Sequence, residues 1–265
     1  MGARLARGPI GDGTLCAFRG RTMVQRVSEA RARVLEALAG QGFARLSATE
    51  AQLALGVDVA ALTRLAPLWE ALPRDAYLRD GGDYRARRHG CFVQDSGAAP
   101  LPVAHRAHWQ PTAYNALHGG LTRWFEPIEA AAAEAPAWLQ LLGALGALFG
   151  ELKPVPRWYI EAHQFRIHTA HGLGRPTPEG AHRDGVDFVA LILVGRRHVI
   201  GGETRVFEAH GAHGVRFTLE EPWSMLLMDD ARVIHETTPL QGQGQGGARD
   251  TLVLTYRAQG FQAPE

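Results

Sequence analysis

The stretch HRDGVDFVALILV, residues 182–194, decides the fold class of this chain. Its second half, residues 186–194, is a run of β-branched and other apolar residues that predicts a buried strand. Other short runs of β-branched or aromatic residues lie on either side of it, and turns rich in Gly, Pro and Asp separate most of them. They cover residues 158–169, 203–208, 215–219, 224–228 and 251–256. Many short strands of this kind favour a sandwich or a barrel over a doubly wound sheet.

The part of the chain before these strands has helical periodicity. It predicts a helix over residues 23–38, a second over 59–72 with a kink or restart at Pro67, and a third over 128–152 with a restart near Pro136. Ser47 and Glu50 have the spacing of a capping box, which indicates that a short helix follows a strand at residues 42–46. Residues 84–94 predict a strand that enters the main body.

We therefore expect a single domain over residues 1–265 that is mainly β with N-terminal helices. Residues 1–80 would form an N-terminal tail and helical layer, with residues 1–21 as a loose tail, and residues 81–265 the core, with its helix near 128–152. Residues 97–126 are rich in Pro, His and Trp and have no clear period. Such a segment is typical of a lid or binding loop, although a purely structural excursion has the same signature.

The composition excludes several classes of protein. Hydrophobic residues make up 46% and charged residues 21%, so the chain can bury a core and is not globally disordered. Lys and Arg number 28 against 27 Asp and Glu, and they are scattered, so neither nucleic acid nor an anionic membrane is an expected partner. Two cysteines, Cys16 and Cys91, are too few for a disulfide framework. With no signal peptide and no membrane span, we expect a soluble cytoplasmic protein.

Three residues form a candidate metal site. His182 and Asp184 are two positions apart, so on a strand their side chains would lie on the same face. His235 follows directly after a predicted strand and could supply a third ligand. Two histidines and one carboxylate make the facial triad of non-haem Fe(II) oxygenases. A zinc hydrolase site can use the same ligand types.

A candidate anion-binding strand accompanies this site. By strand alternation, Arg249, Thr251 and Arg257 lie on one face of the run at residues 249–257. A guanidinium beside a hydroxyl can bind a carboxylate through two parallel hydrogen bonds and one supporting hydrogen bond. A zinc hydrolase would not explain this strand.

The stretch PTPEGAHRDGVDFVALILV, followed by GGETRVFE, PWSMLLMDD, VIHETTPL and GARDTLVLTYR, resembles the Fe(II)/2-oxoglutarate-dependent dioxygenases. It is similar in particular to the bacterial branch that hydroxylates free L-amino acids, such as L-isoleucine dioxygenase. The resemblance covers roughly residues 105–260. It implies a double-stranded β-helix, or jelly-roll, core, which agrees with the strand count.

The resemblance also implies roles for individual residues. His182, Asp184 and His235 would hold Fe(II), and Arg249, helped by Thr251, would bind the C5 carboxylate of 2-oxoglutarate. Arg257 is the alternative ligand for that carboxylate, but its spacing from His235 is less usual for the family. With Fe(II), 2-oxoglutarate and O2, the expected reaction hydroxylates an unactivated C–H bond of a free L-amino acid and releases succinate and CO2.

The sequence offers several candidates for substrate recognition. We expect Arg123, Gln164 or Arg166 to bind the substrate carboxylate, and Trp109 to contribute to an apolar wall. Candidates for the substrate ammonium group are Glu126, Glu179 and Asp187. Two alternative functions stay open: the same chemistry on a carrier-bound or peptidyl amino acid, and a non-catalytic metal-binding jelly-roll module. A homodimer is a candidate assembly.

Overall fold

The computed structural model describes residues 22–264, so the expected tail at residues 1–21 lies outside the described residues. The helices are α1 (Met23–Gln41), α2 (Ala48–Leu55), α3 (Val59–Thr63), α4 (Ala130–Ala133) and α5 (Pro136–Leu152). A short 3₁₀ helix covers Ala66–Trp69. Within residues 22–264, none of these helices has the length and apolar character needed to cross a membrane.

The strands are β1 (Phe43–Leu46), β2 (Arg85–Asp95), β3 (Leu101–Pro102), β4 (Arg157–His168), β5 (Phe188–Arg197), β6 (Val199–Gly201), β7 (Thr204–Glu208), β8 (Gly214–Phe217), β9 (Met225–Asp229), β10 (Val233–Thr237), β11 (Leu240–Gly242) and β12 (Ala248–Arg257). Seven of them form one sheet in the order β1-β9-β5-β12-β4-β2-β3. A three-stranded sheet has the order β10-β7-β8, and β11 pairs with β6. All of these strand pairs are antiparallel. The expected fold class, mainly β with N-terminal helices, is confirmed.

Local sequence explains where the helices begin and end. Ser47 accepts a hydrogen bond from the backbone N–H of Glu50, and the Glu50 side chain accepts one from the backbone of Ser47, which forms the expected capping box. The expected restart at Pro67 is the 3₁₀ helix, because proline has no N–H to continue α3. Pro136 is the first residue of α5, where a missing N–H costs nothing.

The large sheet has two faces with different environments, and strand alternation assigns residues to each. On β12, Leu252, Leu254 and Tyr256 pack with the helices in the main hydrophobic core. The intervening residues of β12 face the opposite side. On β5 the same alternation places Val189 and Leu191 in a second hydrophobic cluster, which also contains residues of β7, β8 and β10. The helices therefore cover one face of the large sheet, while the three-stranded sheet packs on part of the other and leaves a cavity beside it.

Candidate functional site

The candidate metal ligands His182, Asp184 and His235 lie together. Their ligand atoms are all within 4.8 Å of one another. Nε2 of His182 is 3.9 Å from Oδ1 of Asp184, and Nε2 of His235 is 3.8 Å from Oδ2 of the same carboxylate. The three side chains line one cavity. The structure thus brings together, from positions up to 53 residues apart (235 − 182), the donor set that suits Fe(II).

The local structure that positions these ligands differs from the expectation. His235 lies within β10 rather than after a strand. His182 and Asp184 lie before β5, in an irregular segment, and not on a regular strand. The backbone of His182 makes a single bridge to that of His235, with N–H to O distances of 3.0 and 2.9 Å. This bridge brings the two imidazoles close, with ring centroids 4.6 Å apart.

Asp230 holds the irregular segment in place. Its buried carboxylate accepts hydrogen bonds from the backbone N–H groups of Asp184, Gly185 and Val186, at 2.9, 2.8 and 3.1 Å. Gly185 has a φ of 76°, and a Cβ at this position would lie 2.4 Å from the ring of Tyr114. Only glycine fits this turn, because other residues would be strained and would clash. Asp230 and Gly185 therefore fix the backbone at Asp184, a residue that was expected to be positioned by a strand.

Contacts of the imidazoles suit metal binding. Nδ1 of His182 donates to the carbonyl oxygen of Gly180 at 3.0 Å, which leaves Nε2 with a lone pair for an ion. Burial lowers the pKa of His182, but Asp184 and Glu179 outweigh burial and the net shift is upward. Burial and, to a smaller extent, the neighbouring His182 hold the pKa of His235 well below its usual range, so His235 is neutral. These three residues fit an Fe(II) ion, which binds imidazole in its neutral form and carboxylate in its ionised form.

Arg249 lines the same cavity together with Thr251, its neighbour on one face of β12. It is only 2% exposed, and its Nε and Nη2 atoms have no hydrogen-bond partner in the described part of the chain. Burial lowers the pKa of Arg249 to about 10, so it stays charged at neutral pH. A buried, unpartnered guanidinium needs an anion, and a bound carboxylate would supply one.

Arg257 lines the cavity as well, but its guanidinium is engaged. Its Nη1 donates to the carbonyl oxygens of Gly260 at 2.9 Å and Gln259 at 3.4 Å. It lies eight residues from Arg249 on the same strand, a distance of about 26 Å at 3.3 Å per residue. Of these two arginines on β12, Arg249 is therefore the one with an unpartnered guanidinium.

The cavity has a volume of about 1050 Å³, including the part open to solvent. A hydrogen-bonded chain links its wall to the candidate metal site: Nη2 of Arg123 donates to Oε1 of Gln110 at 3.2 Å, and Nε2 of Gln110 donates to Oδ1 of Asp184 at 3.2 Å. Arg123 is 2% exposed and makes no ion pair with a carboxylate in the described part of the chain. Burial lowers its pKa to about 10.

The structure brings one of the four candidate substrate residues to the cavity and not the others. Arg123 lines it, whereas Gln164, Arg166 and Trp109 are not among the lining residues. On β4, Ile160 and Ala162 pack toward the helices, so residues of the same parity, including Gln164 and Arg166, project to that side. Arg166 there bonds the carboxylates of Asp250 and Glu70.

Of the three candidates for binding the substrate ammonium group, one lines the cavity and two do not. Glu179 lines the cavity, but its Oε1 is 3.7 Å from Nε2 of His182, and its Oε2 is buried without a partner among residues 22–264. Glu126 is exposed, and Asp187 binds the side chain of Lys153 and the backbone N–H of Ala258. None of the three offers a free carboxylate oxygen inside the cavity and away from the candidate metal ligands.

Sequence reasoning missed a second cluster of polar side chains, three of which line this cavity. The cluster consists of His89, His108, Glu161 and His163, all buried, and their ligand atoms lie within 4.8 Å of one another. Glu161 and His163 have the opposite parity on β4 from the apolar Ile160 and Ala162. That parity was the available signal, since the apolar residues of a strand mark its core side.

A mainly β fold with this triad and a buried arginine defines a class of non-haem iron oxygenases. The model of the 2OG-Fe dioxygenase family matches residues 66–255 of this sequence. The chain belongs to the 2OG-Fe dioxygenase family. The family uses Fe(II), 2-oxoglutarate and O2, so the expected cofactor and co-substrates are confirmed.

Solved structures agree with this assignment. The chain is 56% identical to a bsmA homolog from Methylobium petroleophilum PM1, with a TM-score of 0.85 over 89% of this chain and 96% of that one. IDO from Bacillus thuringiensis is 18% identical, with a TM-score of 0.65 over 86% of this chain and 98% of that one. The Fe(II)/α-ketoglutarate-dependent dioxygenase TqaL is 17% identical, with a TM-score of 0.66 over 89% of each chain. The latter two show the fold alone and confirm the jelly-roll core. No curated protein matches the sequence.

Proposed function

We propose that this protein hydroxylates an unactivated C–H bond of a free L-amino acid, using Fe(II), 2-oxoglutarate and O2 and releasing succinate and CO2. The observation that carries the proposal is that one cavity holds the His182, Asp184 and His235 triad together with two buried guanidiniums that have no carboxylate partner within the described residues. One of these suits the C5 carboxylate of 2-oxoglutarate, and the other suits the carboxylate of a substrate.

The first guanidinium is that of Arg249. Its free Nε and Nη2 atoms would donate to the C5 carboxylate, and the hydroxyl of Thr251 on the same strand face would add a third hydrogen bond. His182, Asp184 and His235 would hold the iron. Bound iron supplies the oxidative decarboxylation of 2-oxoglutarate that makes attack on a C–H bond feasible.

The second guanidinium is that of Arg123. It would bind the substrate carboxylate, and its hydrogen bond to Gln110 links this carboxylate to the iron ligand Asp184. Such a chain would fix the substrate relative to the iron, and the carbon that reacts depends on this placement. The motif segments that resemble the free amino-acid hydroxylases, residues 176–189 and 201–204, provide further support.

The proposal is tested with the protein, Fe(II), 2-oxoglutarate and ascorbate, across the twenty common amino acids plus ornithine and pipecolate. We expect succinate together with one amino acid that gains 16 mass units, the mass of one oxygen atom. Succinate with no oxidised product would favour a carrier-bound or peptidyl substrate. No succinate from the iron-loaded protein would favour the non-catalytic module.

A further inference from the structure

The second cluster in the cavity is built around one carboxylate. Oε2 of Glu161 contacts Nε2 of His89 at 2.9 Å and Nδ1 of His108 at 2.6 Å, both within hydrogen-bond distance. Nε2 of His163 is 3.7 Å from the same oxygen. The proposed roles of Arg249 and Arg123 do not use this cluster, although His108, Glu161 and His163 all line the cavity.

Glu161 carries the only negative charge of the cluster. Burial raises the pKa of its carboxyl group, but the hydrogen bonds and proximity of His108 and His89 outweigh burial and hold it well below its usual range. Burial also lowers the pKa of His108 to about 4, despite the opposing effect of Glu161. Burial lowers the pKa of His89 and His163 as well. At neutral pH the cluster is one carboxylate and three neutral imidazoles.

These charge states fix which atoms donate and which accept. Because the carboxylate accepts, the proton of His108 is on Nδ1, and its Nε2 carries a lone pair. Neither this Nε2 nor Oε1 of Glu161 has a hydrogen-bond partner in the described part of the chain, and neither is a fully enclosed atom. The cluster therefore presents two acceptors to the cavity, one of them charged.

A second metal ion does not suit this arrangement. Nη2 of Arg87 donates to Nδ1 of His163 at 2.7 Å, so the other ring nitrogen of His163 carries the proton and has no lone pair for a metal. The Arg87 guanidinium is held close to the rings of Phe125 and Phe165, at 3.7 and 4.4 Å from their centroids. The cluster would need both a shifted proton and a displaced arginine before it could bind an ion.

We propose that Glu161 and His108 form the subsite for a cationic nitrogen of the substrate, with Oε1 of Glu161 and Nε2 of His108 accepting its N–H groups. A charged acceptor beside a neutral one matches an ammonium group, whose donors all point outward. The inference rests on the proposed function: with Arg123 at the substrate carboxylate, the cavity would recognise both charges of a zwitterion. The nitrogen is that of the α-amino group or of a side-chain amine.

The test compares wild type with Glu161→Gln, which keeps the size of the side chain and removes its charge. Both proteins, loaded with Fe(II) and 2-oxoglutarate without oxygen, are titrated by calorimetry with the best amino-acid substrate. They are also titrated with its 2-hydroxy acid and with its analogue lacking any side-chain amine. We expect Glu161→Gln to weaken binding of the amino acid by at least about 30-fold and to leave that of the 2-hydroxy acid within about threefold. If the side-chain amine is the ligand, Glu161→Gln should instead weaken binding of the amino acid and of its 2-hydroxy acid. Binding of the analogue that lacks the side-chain amine should then change little.

Two further variants keep the test decisive. Glu220→Gln removes an exposed carboxylate and should change neither binding constant. If Glu161→Gln fails to fold, Glu161→Asp keeps the charge, retracts the carboxylate by one methylene and should still weaken amino-acid binding selectively. Equal losses for the amino acid and both analogues, or no loss, would overturn the proposal. So would two bound metal ions per wild-type chain that fall to one in the variant, measured by elemental analysis.

Failure of the proposed function would give a different result. If no amino acid is oxidised, the same two proteins are titrated with primary alkylammonium ions and with the corresponding alcohols. Binding that is selective for the ammonium ion in wild type and lost in Glu161→Gln would support the subsite while the amino-acid function fails. Absence of ammonium selectivity in wild type would overturn the subsite as well.

Discussion

Replacing Arg249 by methionine should weaken 2-oxoglutarate binding far more than it disturbs the protein. The guanidinium is 2% exposed, and two of its nitrogens have no partner in residues 22–264. Methionine keeps the apolar stem and would leave the C5 carboxylate of 2-oxoglutarate buried without a cation. Losing one partner of a buried charge pair costs about 2–5 kcal/mol, so the KM for 2-oxoglutarate should rise roughly 30- to 5000-fold.

The same substitution should have the opposite effect on the protein without 2-oxoglutarate. Burial lowers the pKa of Arg249 to about 10, which shows that its charge is disfavoured where it lies. We therefore expect the Tm of unliganded Arg249→Met to equal or exceed that of wild type. Wild type should gain stability when 2-oxoglutarate is added, and the variant should not.

The matched control is Arg257→Met. The Arg257 side chain donates to two backbone carbonyl oxygens, so its loss should change the KM for 2-oxoglutarate by less than about fivefold. Succinate formation at varied 2-oxoglutarate, together with thermal unfolding of each protein, measures both effects. A larger rise in KM for Arg257→Met than for Arg249→Met would contradict the role of Arg249 in binding 2-oxoglutarate. A fall in the Tm of unliganded Arg249→Met would show that its buried charge does not destabilise the protein in the way proposed.

Three further predictions concern the iron site and the buried histidines. His235→Ala should lose bound iron and all turnover, and iron retained at one equivalent in that variant would argue against its role as a ligand. Asp230→Asn replaces one of the two carboxylate oxygens that accept from three backbone N–H groups with an NH₂ group and should lower iron affinity about 10- to 100-fold, whereas Asp229→Asn should not. The folded-state pKa of His108 is below its unfolded value, so the folded state binds fewer protons and stability falls as the pH drops below 6.5. His108 alone should cost about 2 kcal/mol between pH 6.5 and 5 in urea unfolding, and an unchanged pH slope in His108→Gln would contradict this.

Local patterns in the sequence were sufficient for much of the fold and for selecting the candidate metal ligands. Alternation along residues 249–257 places Arg249 and Thr251 on one face, and the structure has them on the cavity face of β12. Alternation is sufficient here because successive side chains of a strand point to opposite faces, whatever the strand packs against. Asp184 is different: its position depends on the carboxylate of Asp230, 46 residues away, and no local pattern specifies such a contact.

The substrate side of the cavity was less accessible to sequence reasoning. Gln164 and Arg166 were predicted to bind the substrate because they are polar residues on a strand. They lie instead on the face of the large sheet that the helices cover, where Arg166 is paired with acidic residues. Alternation along β4 separates Glu161 from the apolar Ile160, but the contacts of Glu161 with His89 and His108, 72 and 53 residues away, are specified by no local pattern. The single domain, the cytoplasmic location and the homodimer stay predictions.

The most direct test of the proposed hydroxylase function is turnover under ¹⁸O₂ with the best amino-acid substrate, followed by mass spectrometry of both products. We expect equal amounts of succinate and hydroxylated amino acid, each with one oxygen atom derived from O2. Succinate without an oxygenated amino acid would contradict the proposed substrate class. An iron-loaded protein that forms no succinate from 2-oxoglutarate would contradict the assignment of the site itself.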